Sequence, residues 1–279
     1  MIRLDSVTYS YNSTGNVLNG ISIDIDSGEH IAVIGPNGSG KTTLLRHMNG
    51  LLAPSSGRVT VDDIDTKIRS TLPQVRQLAG MVFQNPDNQI VGMTVEEDVA
   101  FGPGNLGLPP AEIRRRVERS LARVGIQDLS SRTPSTLSNG EKQLVGVAGV
   151  LAMEPRYLLF DEATAYLDPA GTARILEVIS ELDREGITIV HVTHDMDEAV
   201  KARRVIVVAQ GRIIMDGPPA GIFSRAEGLE GLGLGLPAAA DLAHRLRSAG
   251  VPIPPGILTV EEAAEAIMKL NLEPGISNV

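Results

Sequence analysis

The chain has 279 residues, enough for one large α/β unit and a small appendage, with ordinary hydrophobic (42%) and charged (21%) fractions. It contains no apolar run of about 18 residues and no cysteine, which excludes a membrane-spanning helix, disulfides and thiolate metal sites. A formal net charge of -9, 3% aromatic residues and no tryptophan argue against a broad nucleic-acid surface or a base-stacking platform, so no nucleic-acid partner is expected.

The first residues, Met1-Ile2-Arg3-Leu4-Asp5, lack a basic stretch followed by an apolar one, so no secretion signal is expected. Short β-like runs at Met1–Tyr9 and Ile21–Ile25 predict an antiparallel edge. His30-Ile31-Ala32-Val33-Ile34 reads as a buried strand, and Thr43–Met48 as the start of a helix. Between them Gly35-Pro36-Asn37-Gly38-Ser39-Gly40-Lys41-Thr42 spells a complete G-x-x-x-x-G-K-[ST] phosphate-binding loop. The glycines let backbone N–H groups curl around the α- and β-phosphates, and the helix N-terminus adds its positive dipole end. Lys41 is expected to reach the β- and γ-phosphates and the Thr42 hydroxyl to ligate Mg²⁺. The chain is therefore expected to bind a nucleoside triphosphate.

A strand-like run from about Leu78 to Phe83 ends at Gln84. Residues 104–155 change character. Pro109-Pro110 opens an amphipathic helix whose Ile113, Val117, Leu121 and Val124 recur at helical spacing, and Gly125 closes it. Ser138 and Glu141 form a capping box that opens another helix at Asn139 or Gly140. Tyr157–Phe160 is an apolar strand ending in Asp161 and Glu162, at the strand terminus where open α/β sheets bind ligands. Asp161 is expected to hold Mg²⁺ through water, and Glu162 to polarise the attacking water. A helix around Arg174–Glu185, a strand at Thr188–Val192, an N-cap at Asp195, and a hairpin of Val205–Ala209 and Arg212–Met215 about Gln210-Gly211 follow. Strands alternating with helices imply a mostly parallel sheet. Leu229–Leu236 alternates Gly and Leu, as a linker or an apolar docking strip would. Leu242 and Leu246 mark a short helix, Pro252, Pro254 and Pro255 break it, and the capping box Thr259–Glu262 opens a last helix to about Leu270.

Leu137-Ser138-Asn139-Gly140-Glu141-Lys142-Gln143 resembles the signature motif of ATP-binding-cassette (ABC) ATPases, and further elements stand in that family's order over about residues 1–220. By the resemblance, Tyr11 stacks on adenine, and Gln84 touches Mg²⁺ and the attacking water while sensing a membrane partner. Ala165-Tyr166-Leu167-Asp168 resembles the D-loop, which crosses to the other protomer, and His194 the histidine that contacts the γ-phosphate. ATP is implied as the nucleotide, sandwiched between Gly35–Thr43 of one subunit and the Ser138–Glu141 signature of a second ABC ATPase, a copy of this chain or a paralogue. Four positions depart from the common pattern. Asn139 stands for a glycine whose positive φ it would tolerate, Glu141 for glutamine, Leu144 for arginine and Ala163 for proline, and slow hydrolysis is the expectation.

The wording Met81-Val82-Phe83-Gln84-Asn85-Pro86-Asp87-Asn88-Gln89-Ile90, with Asn49-Gly50-Leu51-Leu52 and Val147–Met153, is similar to the energy-coupling-factor and cobalt/nickel uptake subfamily. That resemblance implies an ABC-type α/β fold over 1–225, with a helical insert at about 87–155 and a C-terminal helical extension at 226–279. It also implies a peripheral ATPase on the cytoplasmic face of the membrane, beneath a membrane coupling protein and a substrate-capture membrane protein, driving uptake of a vitamin or transition-metal ion. The alternatives are an ATPase of another importer class and a weakly hydrolysing nucleotide-gated regulator. A coiled-coil chromosome ATPase would need long heptads, and a translation-factor ATPase a second phosphate loop; the sequence has neither.

Overall fold

In the computed structural model, which describes residues 1–11 and 15–272, an antiparallel sheet packs over a mostly parallel one. The chain runs β1 (Ile2–Tyr9), β2 (Leu18–Ile25), β3 (His30–Ile34), α1 (Lys41–Met48), β4 (Ser56–Val61), β5 (Ile64–Asp65), α2 (Leu72–Leu78) and β6 (Ala79–Val82). It continues through α3 (Val95–Asn105), α4 (Pro110–Val124), α5 (Asn139–Leu151), β7 (Tyr157–Asp161), α6 (Pro169–Arg184), β8 (Thr188–Val192) and α7 (Met196–Ala199). It closes with β9 (Arg204–Ala209), β10 (Arg212–Gly217), α8 (Pro219–Phe223), α9 (Ala226–Glu230), α10 (Ala238–Ser248) and α11 (Val260–Leu272).

The first sheet has the order β2-β1-β4-β5. Its inward residues Ile2, Leu4, Leu18, Ile23, Val59 and Val61 alternate with exposed ones, as one buried face demands. β1 and β2 match the predicted runs, and β4 is an unpredicted strand whose Val59-Thr60-Val61 alternation carries the same signal. The second sheet has the order β10-β9-β3-β8-β7-β6, parallel except for β10. Its central strands β3, β7 and β8 are buried at every residue, because both faces are covered. On one face Ile31, Val33, Leu159 and Val192 meet α1 and the antiparallel sheet. On the other, Leu158, Phe160 and Ile189 meet α3–α6, while Ala32, Ile34, Val205 and Val207 pack with α7–α9.

α4 ends at Gly125, left-handed at φ 73, as the sequence predicts. The C-terminal segment differs in detail. Leu229 and Leu234 join the core beside β3 and β9, so this stretch is packed chain. On α10 the buried face is Ala239, Ala240 and Ala243, whereas Leu242 is 44% exposed, because small alanines let Ile253, Ile257, Ala263 and Ala266 approach closely. Thr259 and Glu262 exchange the expected capping bonds. Residues 273–279, the end of the expected extension, lie outside the described residues. No described helix is long and apolar enough to cross a membrane.

Candidate active site

β3 delivers the chain into Gly35, whose φ of 153 and close packing tolerate no side chain: an added Cβ would lie 2.0 Å from the Val208 carbonyl oxygen. The loop is braced from outside by the β9–β10 turn. Gln210 and Gly211 both adopt the left-handed conformation of a two-residue hairpin, and Gly211 N–H donates to the Ser39 carbonyl at 3.0 Å. Inside the loop, Lys41 is 5% exposed and its Nζ donates to the Gly35 and Pro36 carbonyls at 2.8 and 3.1 Å. Burial lowers its pKa, opposed by the charges of Glu162 and Asp161. Ser39 Oγ is buried without a partner. A buried cation bonded only to carbonyls, beside an unsatisfied hydroxyl, fits an anionic ligand.

The carboxylates arrive on β7. The Thr42 hydroxyl donates to Asp161 Oδ1 at 2.7 Å. Burial raises the Asp161 pKa, the Thr42 bond pulls it down, and the Glu162 charge raises it further. Glu162 leaves the strand with φ 50, a left-handed conformation costing about 1–2 kcal/mol for a non-glycine, and its N–H is tied to the Val192 carbonyl of β8. Its two oxygens are taken separately. Gln84 Nε2 donates to Oε2 at 2.7 Å, and His194 Nε2 lies 2.6 Å from Oε1. Residues just beyond three adjacent parallel strands, β6, β7 and β8, thus meet at one carboxylate.

Gln84 is aimed by contacts that the sequence did not announce. The Phe83 N–H donates to Gln89 Oε1 at 3.1 Å, and the Phe83 carbonyl accepts from fully buried Gln143 at 2.9 Å. Tyr11 is half-exposed, its hydroxyl 3.2 Å from Thr43 Oγ1 and its ring edge-on to Tyr9. Asn37 and Gly38 occupy the tip of the phosphate loop, where Gly38 adopts φ 74.

Ser138 caps α5 as expected: its Oγ accepts from Glu141 N–H at 3.2 Å, and Glu141 Oε2 accepts from Ser138 N–H at 2.7 Å. One expectation changes here. Asn139 is the first helical residue and has no positive φ, so its tolerance of that region is not called upon. The Glu141 carboxylate, as the capping box predicts, is turned back onto its own helix end, where the macrodipole favours it. Gly140 lies close to Gly171 of α6, whose N-cap is Asp168. The side-chain bonds of Ser138, Asn139 and Glu141 stay within this helix end or reach the Tyr166 carbonyl. None reaches the phosphate loop of the same chain.

Two concavities flank the cluster. A cleft of about 590 Å³ is lined by Glu162, Thr164, Thr193, His194, Glu198 and Leu236. A groove of about 550 Å³, with Met81, Phe83, Gln89, Val91, Phe101 and Met153 on its walls, runs between β6 and the helices; Val91 and Phe101 are exposed along it.

Residues 18–165 match the family model described as ABC transporter. The chain is 49% identical to the cobalt import ATP-binding protein CbiO of Syntrophus aciditrophicus, over 98% of both chains. It is 52% identical to the energy-coupling factor transporter ATP-binding protein EcfA1 of Symbiobacterium thermophilum, over 92% of this chain and 90% of that one. Among solved structures, cbiO1 from Clostridium perfringens, described as part of the ABC transporter complex cbiONQ, superposes with a TM-score of 0.75 and 40% identity, covering 87% of this chain and 98% of that one. The cassette MJ0796, in a dimeric post-hydrolysis state bound to ADP and Pi, gives a TM-score of 0.71 and 29% identity over 78% and 99%.

Proposed function

The chain belongs to the ABC transporter family, and from that membership we propose that it is the ATP-hydrolysing subunit of an energy-coupling-factor-type importer, taking up a vitamin or a transition-metal ion. The observation that carries the chemistry is the Gln84–Glu162–His194 bridge beside the Thr42–Asp161 pair.

Gly35–Thr43 wraps the phosphates of ATP, with Lys41 and Ser39 exchanging loop carbonyls and an empty bond for phosphate oxygens. Tyr11 stacks on the adenine. Thr42, Asp161 and Gln84 present hard oxygen donors, the set that suits Mg²⁺. An ion held by these residues would supply neutralisation of the phosphate charge. Glu162 orients the attacking water and accepts its proton, and His194 exchanges its carboxylate partner for the γ-phosphate. Most of the rate comes from positioning and electrostatics.

Ser138–Glu141, remote in bonding from its own phosphate loop, serves the site of a second subunit across a head-to-tail dimer. Asp168 sits in the D-loop at the same face. The cassette comprises 1–225, with its helical insert at about 87–155, and 226–279 is an extension. Attachment to the cytoplasmic face of the membrane comes through a membrane coupling protein. Its apolar helices fit the groove lined by Phe83, Val91 and Phe101, and a separate membrane protein captures the substrate.

The test is a pull-down of tagged Glu162→Gln protein with ATP from its own detergent-solubilised membranes, read by mass spectrometry. One coupling protein with a small substrate-capture protein is the expected recovery. Paired permeases with a substrate-binding protein would move the chain to another importer class, and no membrane partner would refute the transport reading.

A further inference from the structure

Glu198 is a buried carboxyl that none of the roles above uses. It is 5% exposed in the first turn of α7, and its Oε2 accepts the Thr193 hydroxyl at 2.5 Å. That hydroxyl in turn accepts the Asp195 N–H at 3.0 Å, so the two bonds bracket His194 on both sides. Thr164, two residues beyond Glu162, lines the same cleft as Thr193 and Glu198. One carboxyl therefore holds the turn after β8 where it faces the turn after β7. These are the turns that bring His194 and Glu162 within 2.6 Å of each other. Burial pushes the Glu198 carboxyl above its ordinary range, while the Thr193 bond pulls it back. A buried acid is costly to keep, and the Thr193 hydroxyl offsets part of that cost.

We infer that Glu198 is a positioning residue for hydrolysis, holding the His194 turn through Thr193 where it faces the Glu162 turn. The inference rests on the hydrolytic reading of the site. It does not concern nucleotide binding, because neither Thr193 nor Thr164 belongs to the phosphate loop or bonds to Tyr11. A displacement of about 1 Å between a catalytic pair costs on the order of 100-fold in rate, so loosening this tie should act on turnover.

The experiment measures kcat and KM for Mg²⁺-ATP, with melting temperature alongside, on the full-length chain. The variants are Glu198→Ala, Glu198→Gln, Thr193→Val, the Thr193→Val/Glu198→Ala double variant, and Glu162→Gln as reference. Glu198→Ala and Thr193→Val should each lower kcat about 10- to 100-fold and leave KM within about twofold. Glutamine can still accept from Thr193, so Glu198→Gln should recover most of the rate. The double variant should be no slower than Glu198→Ala, since both changes break one link. Thr193→Val keeps the side-chain shape and carries the test should Glu198→Ala fail to fold. Wild-type kcat in Glu198→Ala or Thr193→Val, with Glu162→Gln inactive, would overturn the positioning role alone. So would a loss in which KM and melting temperature fall together without glutamine rescue. Full activity in Glu162→Gln would overturn the hydrolytic reading and this inference with it.

Discussion

At Glu162 a single carboxylate is shared by an amide and an imidazole, and the charge on that carboxylate is what both partners address. Glu162→Gln should keep ATP binding, lower kcat by about 10²- to 10⁴-fold, and trap an ATP-bound dimer, measured by phosphate release and by gel filtration. Ser138→Ala removes a helix cap, a loss of about 1 kcal/mol. It should also weaken ATP-dependent dimerisation in the Glu162→Gln background, which sedimentation would read. An effect confined to nucleotide affinity of the monomer would contradict a site completed by the second subunit. The residues carrying these predictions were legible in the sequence because each motif is contiguous: the phosphate loop needs its glycines locally, and Asp161-Glu162 follows its strand directly. The helical conformation of Asn139 was not. Helix geometry, rather than residue preference, decided it.

Two packed elements aim these groups. The Gln84 segment is pinned to α5 through Phe83 by Gln89 and Gln143, and Gly146 leaves the room for it: a Cβ there would lie 1.9 Å from Gln89 Nε2. Gly146→Ala should leave the melting temperature unchanged or slightly raised, since alanine favours the helix by about 1 kcal/mol and the displaced atom ends a flexible side chain. It should nonetheless loosen Gln84 and lower ATPase activity in the membrane complex, which a coupled assay would detect. The other element is the contact between β3 and β8, where His30 Nε2 lies 3.3 Å from His191 Nδ1 inside the core. Burial drives the His191 pKa down to about 3, and the neighbouring His30 adds to that effect. Burial also lowers that of His30, against the pull of Asp183. The unfolded chain therefore takes up protons that the folded one refuses. Stability is complete above the unfolded value of 6.5 and falls as the pH drops from there towards about 3, at up to about 1.4 kcal/mol per pH unit for one such histidine. Asp161 and Glu198, with raised pKa values, act in the opposite sense at lower pH. Denaturant melts of wild type and His191→Leu at pH 7.5, 6 and 5 should show a shallower acid loss in the variant. Parallel curves would exclude the histidine.

Across the whole molecule, the family places this chain among subunits that work in pairs, and the departures in Ser138–Glu141 raise the question of which partner it takes. If the departures mark one half of an asymmetric pair, ATP hydrolysis by a mixture with a paralogue should exceed the sum of the two alone. Equal activity in the mixture and the single chain would reject asymmetry. The C-terminal segment reaches the site through Ala238, whose N–H donates to Asp197 at 3.0 Å on the helix that follows His194. Composition and local motifs carried the expectation of a nucleoside triphosphate, the strand–loop–helix of its loop, the paired carboxylates and the parallel core. Each of those is dictated by backbone geometry or burial within a few consecutive residues. Tertiary structure alone decided that Gln84 and Glu162, 78 residues apart, share a bond, that the β9–β10 hairpin braces the phosphate loop, and that α10 packs by its alanines. Those pairings depend on the order of strands in the sheet and on how closely helices approach, and neither quantity is written in a local stretch of chain.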